Sequence, residues 1–198
     1  SKFIGALTCT LTLSAHAAIW DFTLNMDGPQ AGTASPGTGG DLHQNFPADW
    51  PMISYDTDTH KLHLPIGWGT QNGFSGNLGD SGGNPVIKGP APAGSSASSL
   101  YGLDTPNDQG GGSGSVNSTI TLVDNPASRT YSLTDQETDL HSGLWYVEVP
   151  TIHFGNGEIR GQLTPVPEPE QYARVAGLAL FFVFFSDVAL YIGLSVLL

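Results

Sequence analysis

Glycine and proline interrupt this chain so often that no long helical period survives between residues 18 and 164. Of 198 residues, 26 are Gly and 14 are Pro. Inside a helix each costs about 1 kcal/mol (Gly) or about 3 kcal/mol (Pro) relative to Ala. What remains are short runs of alternating polar and apolar residues bounded by turn residues, the pattern of an all-β domain. Trp20, Phe22 and Leu24 alternate in the first run. Met52-Ile53-Ser54-Tyr55 and Lys61-Leu62-His63-Leu64 flank Asp56-Thr57-Asp58-Thr59-His60, which predicts a hairpin. Residues 119–123, 144–149 and 158–163 complete the strand signals. The expected fold is an antiparallel, immunoglobulin-like β-sandwich with Trp20, Phe22, Trp145, Val147, Ile159 and Leu163 pointing inward. One short helix is expected from the capping-box pattern Thr134-Asp135-Gln136-Glu137, ended by Gly143. Gly82-Gly83, residues 91–99 and the Gly/Ser-rich residues 110–114 are expected as loops. The last has no following Lys-Ser/Thr and is no phosphate loop.

The two ends of the chain are apolar. Residues 1–17 carry one Lys, an apolar run and the small-residue site Ala15-His16-Ala17, the layout of a secretory leader cut beside Ala17 or Ala18. Residues 175–198 form a second block, which as a helix would span roughly 36 Å, enough to cross a hydrocarbon core of about 30 Å. Only Asp187 interrupts it, at a cost of about 2.5–3.5 kcal/mol on insertion scales. The division is therefore leader 1–17, β domain 18–164, a Pro/Glu linker 165–174 and a transmembrane helix 175–198. Cys9 is the only cysteine and lies in the leader, so the domain is expected to hold together without disulfides.

Charge excludes one class of partner. The chain carries 18 acidic against 6 Lys and Arg residues, a net charge of −12. Such a surface repels a phosphate backbone, so no nucleic-acid partner is expected. It suits a soluble exported protein and attracts cations.

Two motifs carry a family resemblance. Met26-Asp27-Gly28-Pro29-Gln30-Ala31-Gly32-Thr33 opens the first and Gly39 closes it. The second is Leu140-His141-Ser142-Gly143-Leu144-Trp145-Tyr146-Val147-Glu148-Val149 followed by Gly157-Glu158-Ile159-Arg160-Gly161-Gln162-Leu163. The pair resembles the CHRD (chordin) domain of bacterial exported proteins over residues 22–163, with insertions at 42–51 and 98–115. Val166-Pro167-Glu168-Pro169 before a terminal apolar block resembles a PEP-CTERM sorting signal. That resemblance implies a Gram-negative bacterium making extracellular polysaccharide, an exosortase-type sorting enzyme as partner, and a precursor held in the inner membrane before reaching the cell surface or biofilm matrix. The chain departs from the pattern in lacking a terminal Arg cluster.

The resemblance also implies a superoxide-dismutase-like sandwich with three metal-ligating His positions. Here those positions are Val86, Lys88 and Pro150, none of which ligates as imidazole does. No metal and no cofactor are therefore expected. His60 and His63 fall on opposite strand faces. The Asp56/Asp58 and Asp104/Asp108 loops lack the EF-hand order and are expected as turns. Glu158 and Arg160, two apart on one strand face, are expected to pair across the sheet surface, and Glu158 has no partner for paired-carboxylate hydrolysis. No nucleophile elbow is present. No catalytic residue is assigned. Trp50 and Trp68, expected in Pro/Gly-rich loops, are the candidates for glycan contact. The resulting expectation is a non-enzymatic surface or matrix module binding a polysaccharide or a protein. The alternative is a divergent metal-binding enzyme related to copper/zinc superoxide dismutase.

Overall fold

The computed structural model describes residues 18–46 and 51–167. Within them, ten strands form one antiparallel ladder: β1 (Ile19–Asp27), β2 (Thr38–Asp41), β3 (Ile53–Asp56), β4 (Lys61–Trp68), β5 (Val86–Lys88), β6 (Ser99–Gly102), β7 (Asn107–Gly110), β8 (Ser113–Thr121), β9 (Tyr146–Val149) and β10 (Ile159–Pro165). Their order across the sheet is β6-β5-β9-β10-β1-β2-β4-β8-β7. The ladder bears out an all-β antiparallel class. Hydrogen bonds link all ten strands into one sheet.

β2 and β3 share one place in this order. Both lie between β1 and β4. β3 pairs with the first half of β1 (Phe22↔Ile53) and β2 with the second half (Met26↔Gly39). Glycine is required where they squeeze in, since a Cβ on Gly40 would stand 2.3 Å from the Leu24 carbonyl oxygen.

The core follows from the alternation. Phe22, Leu24 and Met26 of β1, Ile53 and Tyr55 of β3, Leu62 and Leu64 of β4, Ile87 of β5, Trp145, Val147 of β9 and Ile159 and Leu163 of β10 form one buried cluster. The two limbs of the sheet thus close over a single core. At its margin, Asp104 N–H donates to Ser118 Oγ at 2.9 Å, tying the β6–β7 connection to β8. Five of the six expected inward residues are buried. Trp20 is only partly so, because it sits at the end of the sheet against Tyr55 and His141.

The expected hairpin is present, with Asp56↔Lys61 closing it. Three local expectations need correction. Residues 110–114 are not a loop: the end of β7, a Gly111-Gly112 turn and the start of β8 occupy them. Three successive glycines at φ 80°, 59° and 78° make that reversal without Cβ strain. The helix α2 (Leu133–His141) is capped two residues earlier than expected, by Ser132, whose Oγ accepts from Asp135 N–H. Ser99 begins β6 rather than ending a loop. The other helix, α1 (Gly28–Ala31), is a single turn.

Among the described residues no helix is long and apolar enough to cross a membrane. Residues 1–17 and 175–198, expected as leader and transmembrane helix, lie outside the described residues.

Candidate functional site

Asp27, the last residue of β1, accepts from Gln30 N–H at 2.8 Å and starts α1, with Pro29 fitting the first turn and Gly32 (φ 73°) ending it. The turn throws Thr33 and Ser35 across to Glu158. Thr33 Oγ1 donates to the Glu158 carbonyl at 2.7 Å, and Ser35 Oγ to its Oε1 at 2.6 Å. Glu158 Oε2 accepts from Thr151 Oγ1 at 2.7 Å and Gly79 N–H at 2.9 Å. Gly28 must lack a Cβ, which would stand 2.6 Å from the Ser35 carbonyl oxygen. The two motifs from opposite ends of the domain therefore form one structural clamp.

Glu158 is 5% exposed. Burial works to raise its pKa, but the bonds from Ser35, Thr151 and Gly79, with nearby His153, hold it below the ordinary carboxylate range. Among the described residues no Lys or Arg pairs with it. The expected Glu158–Arg160 surface pair is thus corrected: both are buried, and they point to different partners. Glu158 precedes the strand and turns toward α1. Arg160, inside β10, donates to the carbonyls of Ser95 (2.6 Å) and Pro92 (3.5 Å) and to Gln162 Oε1 (3.0 Å). Its guanidinium lies 3.4 Å from the Tyr146 ring centroid. Gln162 adds a bond to the Ala91 carbonyl at 3.1 Å, so residues 91–95 are strapped over the outer face of the sheet.

A cleft of about 380 Å³ opens beside this clamp. Trp68 and Leu78, both buried, are among its lining residues, the Gly-rich β7–β8 turn packs on them with Leu78 N–H donating to the Gly112 carbonyl at 3.0 Å, and Asp80, Asp108 and Thr151 supply polar lining. Trp68 and Gly114 are opposite each other in the ladder, and a Cβ on Gly114 would stand 2.7 Å from the indole ring. Gly79 and Thr151 both line the cleft and donate to Glu158, so a buried carboxylate stands behind its wall. Next to it the β9–β10 connection exposes Ile152 (66%) and Phe154 (39%).

Strand register fixes where the cleft sits. At one pole are the start of β1 and the end of β10, with Phe22 opposite Pro165, Val166 N–H on the Asp21 carbonyl, and Ala18 bonded to Thr57 of the hairpin turn. At the other pole are Asp27 opposite Arg160, Gly39 opposite Trp68, Trp68 opposite Gly114 and Val149 opposite Ile159. The cleft is at this second pole. The nine residues of β1 separate the poles by about 27 Å at roughly 3.4 Å per residue. The first and last strands of the domain thus have their outer ends at one pole, and the cleft lies at the other.

The other sequence-derived candidates distribute as follows. Trp68 is on a strand rather than in a loop and is 5% exposed, lining the cleft. Trp50 lies outside the described residues, as do Ala15, Ala17, Glu168 and Pro169. Val166 and Pro167 are exposed beyond β10. Within the Gly157–Leu163 motif, Gly157 (φ 108°) makes the approach to β10, Ile159 and Leu163 face the core, and Gly161 leaves room for the Asn25 carbonyl, 2.3 Å from where a Cβ would stand.

At the positions the resemblance assigns to imidazoles, Lys88 forms an ion pair with the Glu148 carboxylate. Glu148 is directly opposite both Val86 and Arg160 in the ladder. His63 Nε2 meets Asn117 Oδ1 at 2.7 Å, and His60 Nδ1 meets Glu137 Oε1 at 3.0 Å, so the two are indeed apart. Asp56 accepts from Asp58 and Thr59 N–H groups, and Asp108 from Gly110 N–H, as turn residues do. Among the described residues no group of three or more His, Cys, Asp or Glu side chains is placed to hold a metal. Sequence reasoning missed Asp80, Thr151 and Gly79 as a set, since they meet only through tertiary structure. Ser35 and Thr33 lay inside a motif already singled out.

Comparison with known protein families matches the CHRD domain to residues 8–163. No curated protein and no solved structure matches. The chain belongs to the CHRD domain family, whose domains are small modules of extracellular type, typical of secreted or extracellular proteins.

Proposed function

We propose that this CHRD-domain chain is an exported, non-enzymatic module that binds a polysaccharide or protein partner in the cleft beside Trp68. Residues 175–198 hold it to the inner membrane of a Gram-negative bacterium until an exosortase-type enzyme acts at Val166-Pro167-Glu168-Pro169. The observation that carries the reading is polar opposition. The chain leaves β10 at one pole, and the cleft with its aromatic wall opens at the other. A domain tethered through its C-terminal tail would present that cleft outward.

Its volume lies within the range of small-ligand sites, about 300–1,000 Å³. Of the two ligand classes, the polysaccharide is favoured. Specific protein interfaces take about 800 Å² from each partner, and the exposed large apolar residues beside the cleft are Ile152 and Phe154 alone among the described residues. The reading as a metalloenzyme related to superoxide dismutase gains no support, because Val86, Lys88 and Pro150 stand where imidazoles would be required and Lys88 is paired with Glu148.

The test is binding of the purified full chain to soluble exopolysaccharides. Ser81→Trp places a bulky side chain at the cleft from an exposed lining residue. Loss of binding in that variant, with the fold unchanged, supports the reading. Undiminished binding contradicts it.

A further inference from the structure

We propose that cutting the leader between Ala17 and Ala18 creates an α-ammonium on Ala18 that the β3–β4 turn captures, through the Thr57 hydroxyl and the flanking carboxylates of Asp56 and Asp58. This rests on the reading of the chain as exported and is independent of the cleft. Three observations lead to it.

The first is a two-bond clasp. Ala18 N–H donates to Thr57 Oγ1 at 3.1 Å, and Thr57 N–H donates to the Ala18 carbonyl at 3.2 Å. Thr57 thus holds both backbone polar groups of the residue that directly follows Ala15-His16-Ala17.

The second is register. Ile19 lies opposite Asp56 and Trp20 opposite Tyr55, so Ala18 comes level with Thr57 at the outer end of the ladder. A cut after Ala17 keeps both bonds of the clasp, whereas a cut after Ala18 removes them. The clasp therefore decides between the two positions that the small-residue pattern allows.

The third is charge. Thr57 stands between Asp56 and Asp58. The Thr59 hydroxyl and N–H, with the Asp58 N–H, hold the Asp56 carboxyl below the ordinary carboxylate range. Around them stand Asp21 on β1, Lys61 opposite Asp56 on β4, His141 against Trp20, and His60, which with Tyr55 meets Glu137 on α2. Carboxylates outnumber the single Lys in this set, which favours a cation at the turn.

The chemistry balances with one water and a leader peptidase. Water adds to the Ala17 carbonyl carbon, the C–N bond to Ala18 breaks, and Ala17 leaves as a carboxylate. The Ala18 nitrogen keeps the bonding pair and takes up protons. An amide nitrogen offers Thr57 one hydrogen and no charge, whereas the ammonium offers three hydrogens and a positive charge. Capture raises the folded pKa of this amine above its unfolded value of about 7.7–8.0. Its stabilisation is then fully present below that value and is lost as pH rises through the folded pKa.

Three forms in one detergent test this: the chain 1–198, the chain beginning at Ala18, and the latter acetylated on Ala18. Acetylation keeps one N–H for Thr57 and removes the charge. At pH 7 the free Ala18 chain should melt about 2–4 °C above the other two. The advantage should fade as pH rises above about 8. His60 and His141 are common to all three forms, so their titration cancels. Thr57→Val with Asp58→Asn should abolish the advantage while circular dichroism stays unchanged, and Thr57→Ser should keep it. The exported native protein should have Ala18 as its first residue by mass.

Equal melting of the free and acetylated chains at pH 7, or an advantage that survives Thr57→Val with Asp58→Asn, would overturn the capture. An exported protein beginning at any other residue would overturn the cut and leave the exported reading standing. A native protein retained in the cytoplasm with its leader attached would overturn both.

Discussion

Ser35 Oγ donates to Glu158 Oε1 at 2.6 Å across 123 positions of sequence. The bond joins the two motifs that carry the family resemblance, and it fixes the back of the cleft through Glu158.

Glu158→Gln is expected to destabilise the domain by about 2–3 kcal/mol, the usual worth of hydrogen bonds to a buried charged group. The folded-state pKa of Glu158 is depressed, so its charge contributes stability that is fully present above the unfolded pKa of about 4.3 and is lost as pH falls through the folded value. Urea midpoints for the native chain and Glu158→Gln should differ most at neutral pH and converge in acid. Ser35→Ala should cost about 1 kcal/mol. Combined with Glu158→Gln, it should add less than the sum, because both act on one network.

The opposite sign is expected at Asp41. This residue is 1% exposed, and burial raises its pKa despite bonds from the His43 and Ile53 N–H groups. The native state then holds a proton more tightly than the unfolded chain, and the charged form costs stability above the raised pKa. Asp41→Asn keeps an acceptor oxygen and removes that charge. Its melting temperature should exceed the native one at pH 7, and the gain should disappear as pH falls toward about 3.9. A gain that grows in acid would show that the carboxylate is stabilising instead.

Lys88→Met should cost on the order of 3 kcal/mol by leaving the buried Glu148 carboxylate without its counterion. Lys88→Met with Glu148→Leu should recover much of that loss, since an apolar pair needs no solvation. Denaturant midpoints of the two singles and the double give the coupling directly.

For the tail, replacing Pro167-Glu168-Pro169 with alanines should block a mass change in a host with an exosortase, and no such change should occur in a host without one. If neither alters mass or fractionation, the apolar block is an ordinary anchor and sorting by this route fails.

Much of the sheet was legible because side chains with β preference alternate along it. The Asp56–His60 turn announces β3 and β4, and Trp145, Val147, Ile159 and Leu163 announce the inner faces of β9 and β10. β2 and β7 were not legible. Their residues, Thr38-Gly39-Gly40-Asp41 and Asn107-Asp108-Gln109-Gly110, have no alternation and poor strand propensity. They are strands because neighbours hold them: Gly39 and Gly40 fit where a Cβ would clash, and β7 pairs along β8 through a register shift.

The clamp was half legible. Gly157–Leu163 was singled out, but its charged residues read as a surface pair because a period of two cannot show that loops cover the outer face. The covering comes from residues 91–95 on Arg160 and from Ser35 on Glu158. The cleft was beyond sequence reading, since Trp68, Asp80, Asp108 and Thr151 come from four separate segments.

The central claim is that the pole opposite the tail is the binding end. Hydrogen exchange of the full chain with and without a bound exopolysaccharide tests it most directly. The account predicts slowed exchange at residues 78–81, 107–114 and 149–154, with residues 18–22 and 163–166 unchanged. Protection confined to the terminal pole, or to the strap over Arg160, would contradict it.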